Sequence, residues 1–251
     1  MKKFIFLHGF LGEGRDWQAV REQLGSEGVS VFETPSLFFP EPSESESLTE
    51  RSLRASLLEG LSMEDTARAW VQALSKEPQD TEFVWVGYSL GGRLLAHALL
   101  AGLPASKAVF VSGGLGLPSA ARTARVQADE AWARRFAEDD WGRVLDDWNR
   151  QTVLGQTSEP VRRERDFDRV RLAAALRAWS LGKQEDLRPR LKDIAMPTLW
   201  LAGARDAKYQ GLLQEVAASA PSARVAIVPD AGHRIPWDAP IECARLIRAF
   251  L

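Results

Sequence analysis

The chain has 251 residues, 45% of them apolar, and a formal net charge of −2. That length suits one α/β domain with room for an insert, and the near-neutral charge gives no basis for a nucleic-acid or acidic-membrane partner. The single cysteine, Cys243, excludes an internal disulfide framework and fits plain packing on the last helix.

Lys2 and Lys3 precede only four apolar residues, too few for a signal-peptide core. No stretch approaches the length of a membrane span. A cytoplasmic protein without a membrane span is expected. Phe4 to Leu7 has the continuous apolar pattern of a strand buried on both faces of a parallel sheet. A Gly-rich loop follows from His8 to Gly14, and Asp16 can cap a helix carrying Trp17, Val20 and Leu24. Val29 to Phe32 reads as a second strand. Pro35 to Ser47, rich in proline, serine and glutamate, reads as a loop near the site. Ser62 is the expected N-cap of a helix with Ala67, Trp70, Val71 and Leu74 as its buried stripe, ending at Glu77-Pro78.

The next stretch carries the chemistry. Thr81 to Trp85 reads as a buried strand, and Leu94 to Leu100 as a buried helix. Between them stands Gly87-Tyr88-Ser89-Leu90-Gly91, a Gly-x-Ser-x-Gly motif in the strand–turn–helix context of a nucleophile elbow. The glycines are needed because the turn is too sharp for side chains at 87 and 91.

Ala108 to Val111 is a further strand. From about 115 to 190 the sequence is rich in Arg, Asp, Glu, Ala and Trp, with helical spacing and no strand-like run. One helical set is Trp132, Phe136, Trp141, Val144, Leu145 and Trp148; another is Val170, Leu172, Ala173, Leu176 and Trp179. The expected organisation is an α/β core over 1–114 and 191–251, with a helical lid insert over 115–190. Strands resume at Thr198 to Leu201 and Val225 to Val228, with helices around Tyr209 to Ala220 and Pro240 to Leu251. Strands alternating with helices predict a doubly wound, mostly parallel sheet with helices on both faces. Its site belongs at the carboxyl ends of the strands.

Three strand ends offer Ser89, Asp206 and His233 in that order, the order of an α/β-hydrolase triad. A serine hydroxyl needs an imidazole to take its proton, and the imidazole needs a carboxylate to orient it. Asp230 is the second candidate for the carboxylate, while Asp238 lies beyond His233. His97 falls within a helix and reads as structural. The backbone N–H groups of Leu90 and Phe10 are the candidates for an oxyanion hole.

Across nearly its whole length the chain resembles the α/β-hydrolase superfamily. It is most similar to the 2-succinyl-6-hydroxy-2,4-cyclohexadiene-1-carboxylate synthase family of menaquinone biosynthesis. The similarity rests on Leu7 to Gly12 with Asp16-Trp17, on Gly87 to Arg93, on Gly203 to Tyr209 and on Ala231-Gly232-His233. In the insert it rests on Arg122 to Arg125, Trp132 to Phe136 and Asp147-Trp148. The chain differs after the second strand: relatives carry an Asp-x-x-Gly-x-Gly turn where this one reads Glu33 to Pro40.

The resemblance implies a lyase that abstracts a proton next to an electron-withdrawing group and then loses the enol of pyruvate. It implies no metal or organic cofactor, and a small polycarboxylate as substrate. It also implies substrate contacts at Tyr88, Arg93, Arg122 and Trp148, with Arg163 or Arg165 as a further lid cation. Guanidinium forks suit carboxylates. A serine hydrolase of esters, thioesters or carbon–carbon bonds, working through an acyl-enzyme, is the alternative.

Overall fold

The computed structural model describes residues 2–25, 31–33, 37–38, 47–76, 80–154, 158, 160–220 and 222–251. Its centre is a six-stranded, all-parallel sheet. The strands are β1 (Lys2–Leu7), β2 (Val31–Glu33), β3 (Glu82–Tyr88), β4 (Lys107–Val111), β5 (Thr198–Gly203) and β6 (Ala223–Val228). Their spatial order is β2-β1-β3-β4-β5-β6. The chain moves outward from β1 to β2, then returns to the other side of β1 for β3. That reversal opens a crevice between the ends of β1 and β3, where open α/β sheets hold their ligands.

The alternation within each strand divides the interior into two apolar layers. In β3, Phe83 and Trp85 face one layer while Val84 and Val86 face the other. The second layer is closed by α1 (Gln18–Leu24) and α10 (Pro240–Phe250), through Val20, Cys243, Ala244 and Ile247. The first layer is closed by α2 (Leu48–Leu58), α3 (Met63–Leu74) and α4 (Leu90–Leu100). Trp200 stacks on Phe110 there with ring centroids 3.8 Å apart, a contact worth about 1 kcal/mol beyond the area it buries.

Residues 115–190 lie between β4 and β5. They hold α5 (Ser119–Glu138), α6 (Trp141–Asn149) and α7 (Arg169–Ala178) and, among the described residues, no strand. Phe136, Val144, Leu172 and Trp179 extend the first apolar layer into this segment. Trp179 Nε1 donates to Thr66 Oγ1 of α3 at 3.1 Å, which fixes the segment to the core. The remaining helices, α8 (Ala207–Ser219) and the single turn α9 (Ile235–Asp238), follow β5 and β6.

Several sequence expectations need correction. Val170 is exposed, because it sits at the open N-terminal turn of α7 and not on its buried stripe. Asp16 does not cap α1; it lies inside a 3-10 turn (Gly14–Trp17) and accepts from the Glu13 amide. Helix α2 is an addition, started by Ser47 Oγ accepting from Glu50 N at 3.1 Å. The expected second strand is present as β2, with its first two residues outside the described set, as are Glu77-Pro78 and most of the Pro-rich loop. On edge strand β6, Val225 and Ile227 remain exposed. No helix of the described residues is long and apolar enough to cross a membrane.

Candidate active site

The elbow is held by local geometry. Ser89 has φ 50° and ψ −108°, a left-handed conformation unusual for a side-chain-bearing residue and costing about 1–3 kcal/mol. Surrounding contacts over-determine it. Ser89 N donates to Val111 O of β4 at 3.0 Å, and Ser89 O accepts from Arg93 N at 3.1 Å to begin α4. A Cβ on Gly87 would lie 2.7 Å from Gly92 Cα, and one on Gly91 only 2.5 Å from Leu7 O. Glycine at 91 therefore lets the start of α4 press against the end of β1.

Ser89 Oγ lies 3.1 Å from His233 Nε2, and His233 Nδ1 lies 2.9 Å from Asp206 Oδ2. Each residue comes from a different strand end, β3, β6 and β5 respectively. Asp206 also caps α8, its Oδ1 accepting from Tyr209 N at 3.3 Å. The Tyr209 ring packs against the imidazole at 4.8 Å, and burial pushes its hydroxyl up to about 12. The other aspartates serve elsewhere. Asp230 is exposed in a turn. Asp238 braces the His233 loop, its carboxylate accepting from Gly232 N and Ser158 N, each at 2.8 Å.

Phe10 and Leu90 both line the cavity beside Ser89. Among the described residues, neither backbone N–H has an acceptor. The Phe10 ring packs on Trp148 at 4.9 Å and Phe136 at 5.2 Å, tying the loop after β1 to the insert. His8 fixes the same loop from behind. Its Nδ1 donates to Gly9 O at 2.8 Å and its Nε2 accepts from Leu37 N at 3.2 Å. Burial lowers the His8 imidazole to about 4, so it stays neutral in that role.

The cavity brings together Ser89, His233, Tyr88, Arg93, Trp148, Phe10 and Leu90, with Asp206 behind the imidazole. Arg122 and Arg165 are not among its lining residues. Arg122 turns its Nε back onto Leu117 O at 3.0 Å. Arg165 is exposed, with its Nε 3.8 Å from the Asp166 carboxylate; Arg163 does not line the cavity either. In their place stand Arg125, Arg162, Lys208 and Arg234, which sequence reasoning missed. Arg125 stands three residues on from Arg122 in α5 and lines the cavity, whereas Arg122 does not.

These cations differ in how they are balanced. Arg125 Nε pairs with Asp129 at 2.8 Å. The Arg162 side chain is 6% exposed and bridges Glu13 at 3.1 Å and Asp16 at 2.7 Å. Arg93 has no ion pair among the described residues; its Nη1 donates to Trp179 O and to Gln184 Oε1, both at 3.0 Å. Burial, with a smaller contribution from Arg125, lowers the Arg93 guanidinium to about 10, which leaves it charged at neutral pH. Burial also lowers the Lys208 ammonium, with Arg125 acting in the same direction.

Outside the cavity, Glu64, His97 and Glu185 bring possible ligand atoms within 4.8 Å of one another. Glu64 is already engaged, accepting from Glu185 N at 3.3 Å and facing His97 Nδ1 at 3.6 Å.

Known proteins resemble this chain in sequence and in fold. The Alpha/beta hydrolase family matches residues 4–246. The 2-succinyl-6-hydroxy-2,4-cyclohexadiene-1-carboxylate synthase of Salmonella agona is 33% identical over 247 residues, covering 94% of this chain and 88% of that protein. The synthase of Salmonella heidelberg is 33% identical over 249 residues, with the same coverage. Among solved structures, MenH from S. aureus aligns with a TM-score of 0.83 at 24% identity, covering 100% of this chain and 93% of its own. A malate-bound thermophilic esterase from Thermogutta terrifontis aligns at 0.71 and 20% identity, covering 99% of this chain and 89% of its own.

Proposed function

The chain belongs to the alpha/beta hydrolase family and, within it, to the 2-succinyl-6-hydroxy-2,4-cyclohexadiene-1-carboxylate synthases, and from that membership we propose how its site works. It is a lyase of menaquinone biosynthesis. We infer that it eliminates pyruvate from a succinyl-cyclohexene carboxylate that carries the pyruvyl unit as an enol ether. Ser89, His233 and Asp206 act as one base. Asp206 holds the proton on Nδ1, so that Nε2 is the basic nitrogen facing Ser89 Oγ. The unit removes a ring proton next to an electron-withdrawing group. The C–H electron pair flows into the new ring double bond, the ring C–O bond to the enol ether breaks with its pair going to oxygen, and the enolate that leaves takes up the proton held by His233 to become pyruvate.

The Phe10 and Leu90 amides stabilise the negative charge that builds on oxygen during proton removal. Tyr88, Arg93 and Trp148 contact the substrate, and residues 115–190 serve as a lid over it. A cytoplasmic location is part of the same proposal, since the relatives are bacterial biosynthetic enzymes.

The observation that carries this reading over ester hydrolysis is Arg93. A half-buried guanidinium beside Ser89, without a carboxylate partner among the described residues, suits a substrate that brings its own carboxylate. The test is release of pyruvate from the succinyl-cyclohexene substrate by purified protein, with no metal added. Absence of pyruvate together with rapid turnover of p-nitrophenyl acetate would instead establish the hydrolase. Ser89→Ala and His233→Ala should each remove most of the pyruvate release.

A further inference from the structure

The two acceptors that hold Arg93 are both neutral. One is the Trp179 carbonyl at the end of α7, and the other is the Gln184 side chain a short way on. Arg93 Nε and Nη2 make no hydrogen bond among the described residues, and Arg93 lines the cavity. The nearby Asp129 carboxylate is occupied, by Arg125 Nε at 2.8 Å and by Ser180 Oγ at 2.7 Å.

Gln184 is sealed from solvent, 1% exposed, and its Nε2 has no hydrogen-bond partner among the described residues. For folding alone this is a poor choice. A glutamate of the same shape would accept from Arg93 through a stronger, charge-assisted bond and would leave no buried amide donor unsatisfied. It would also cancel the guanidinium charge. Arg125 and Arg162, which line the same cavity, do have carboxylate partners, so carboxylates are tolerated at this depth.

We propose that Gln184 is a specificity-determining positioning residue: with the Trp179 carbonyl it forms a neutral cradle that aims Arg93 at a substrate carboxylate without discharging it. This rests on the reading of Arg93 as a carboxylate contact. Gln184 acts through Arg93 and does not touch the reacting atoms.

The test compares Gln184→Glu with Gln184→Met, using pyruvate release for KM and kcat, and calorimetric titration with succinate as a simple dicarboxylate probe. Gln184→Glu should raise KM by roughly tenfold to hundredfold, the scale of a lost charge-assisted contact, with kcat within a few-fold of wild type. Its thermal midpoint should equal or exceed that of wild type. Gln184→Met keeps the charge on Arg93 and should raise KM less, while lowering the thermal midpoint. A merely structural Gln184 gives the opposite order in KM and in succinate affinity, with Met worse than Glu in both, and that result overturns the proposal. So does an unchanged KM in Gln184→Glu. If the wild-type protein releases no pyruvate, the proposed reaction fails, and the cradle is then judged on succinate alone. Binding to wild type that is lost in Gln184→Glu supports it; no binding to wild type, or equal binding to both, overturns it.

Discussion

His233 Nδ1 and Asp206 Oδ2 stand 2.9 Å apart with both residues almost closed off from solvent, at 5% and 6% exposure. In that setting the carboxylate decides which imidazole nitrogen carries the proton. Asp206→Asn keeps the shape but permits the other tautomer. It should lower kcat for pyruvate release by about 10²- to 10⁴-fold, with KM little changed. A kcat within threefold of wild type would show that another group orients His233.

Gly91 is the contact between the elbow helix and the loop that carries the Phe10 amide. A methyl there would meet Leu7 O at 2.5 Å and His8 O at 2.7 Å. Gly91→Ala should destabilise the fold by about 1–3 kcal/mol, the usual cost of overpacking. It should also lower kcat more than that loss explains, because the strain falls on the loop beside Ser89. Urea unfolding together with kcat measured well below the thermal midpoint checks this. Full activity in a destabilised variant would separate the loop from catalysis.

The insert arginines should sort by where the structure places them. Arg125 lines the cavity, whereas Arg122 and Arg165 do not. Arg125→Ala should raise KM by about tenfold, the scale of one charged contact. Arg122→Ala and Arg165→Ala should stay within twofold of wild type. A large KM increase in Arg165→Ala would mean that the insert rearranges when substrate binds.

Two buried histidines make the fold sensitive to acid. His8 and His97 are each lowered from 6.5 to about 4, chiefly by burial. Glu64 opposes the shift at His97, while Arg93 and Arg190 add to it. Between those two values the unfolded chain binds the proton and the folded chain does not. Their contribution is therefore intact above about pH 6.5 and is lost progressively as pH falls toward 4, by up to roughly 3 kcal/mol for each histidine. His97 Nε2 has no hydrogen-bond partner among the described residues, so His97→Leu removes the titration without breaking a bond at that atom. Its stability should fall less steeply than that of wild type between pH 6.5 and 4 in urea unfolding. Parallel slopes would show that His97 titrates normally in the folded state.

The parts of this molecule that were readable in the sequence are those set by rules acting within a few residues. Gly87 and Gly91 admit one turn geometry, and that turn fixes where Ser89, Leu90 and Arg93 stand. The apolar runs of β1, β3, β4 and β5 are buried on both faces and can scarcely be other than central strands. The cationic wall was not readable, for a physical reason. Helix α5 carries arginines at several phases and buries only Asp129, Ala133 and Phe136, so its apolar pattern is too sparse to tell which arginine faces inward. Helix α2 was missed although Ser47 and Glu50 have the spacing of an N-terminal cap. The role of Gln184 depends on a contact between residues 91 positions apart, and no local pattern encodes it.

The helical segment begins and ends at one place. Leu187 N donates to Leu115 O at 2.8 Å, and Gly116, at φ 102°, packs so closely that an added Cβ would lie 2.5 Å from Glu185 O. A detour whose two ends are clasped together places no demand on the distance between β4 and β5. Its length and composition can change over evolutionary time while the sheet register, and with it the spacing of Ser89, Asp206 and His233, stays fixed. One scaffold can in this way supply many substrate preferences, and grafting this segment onto a related core at the same clasp is a natural route to exchanging them.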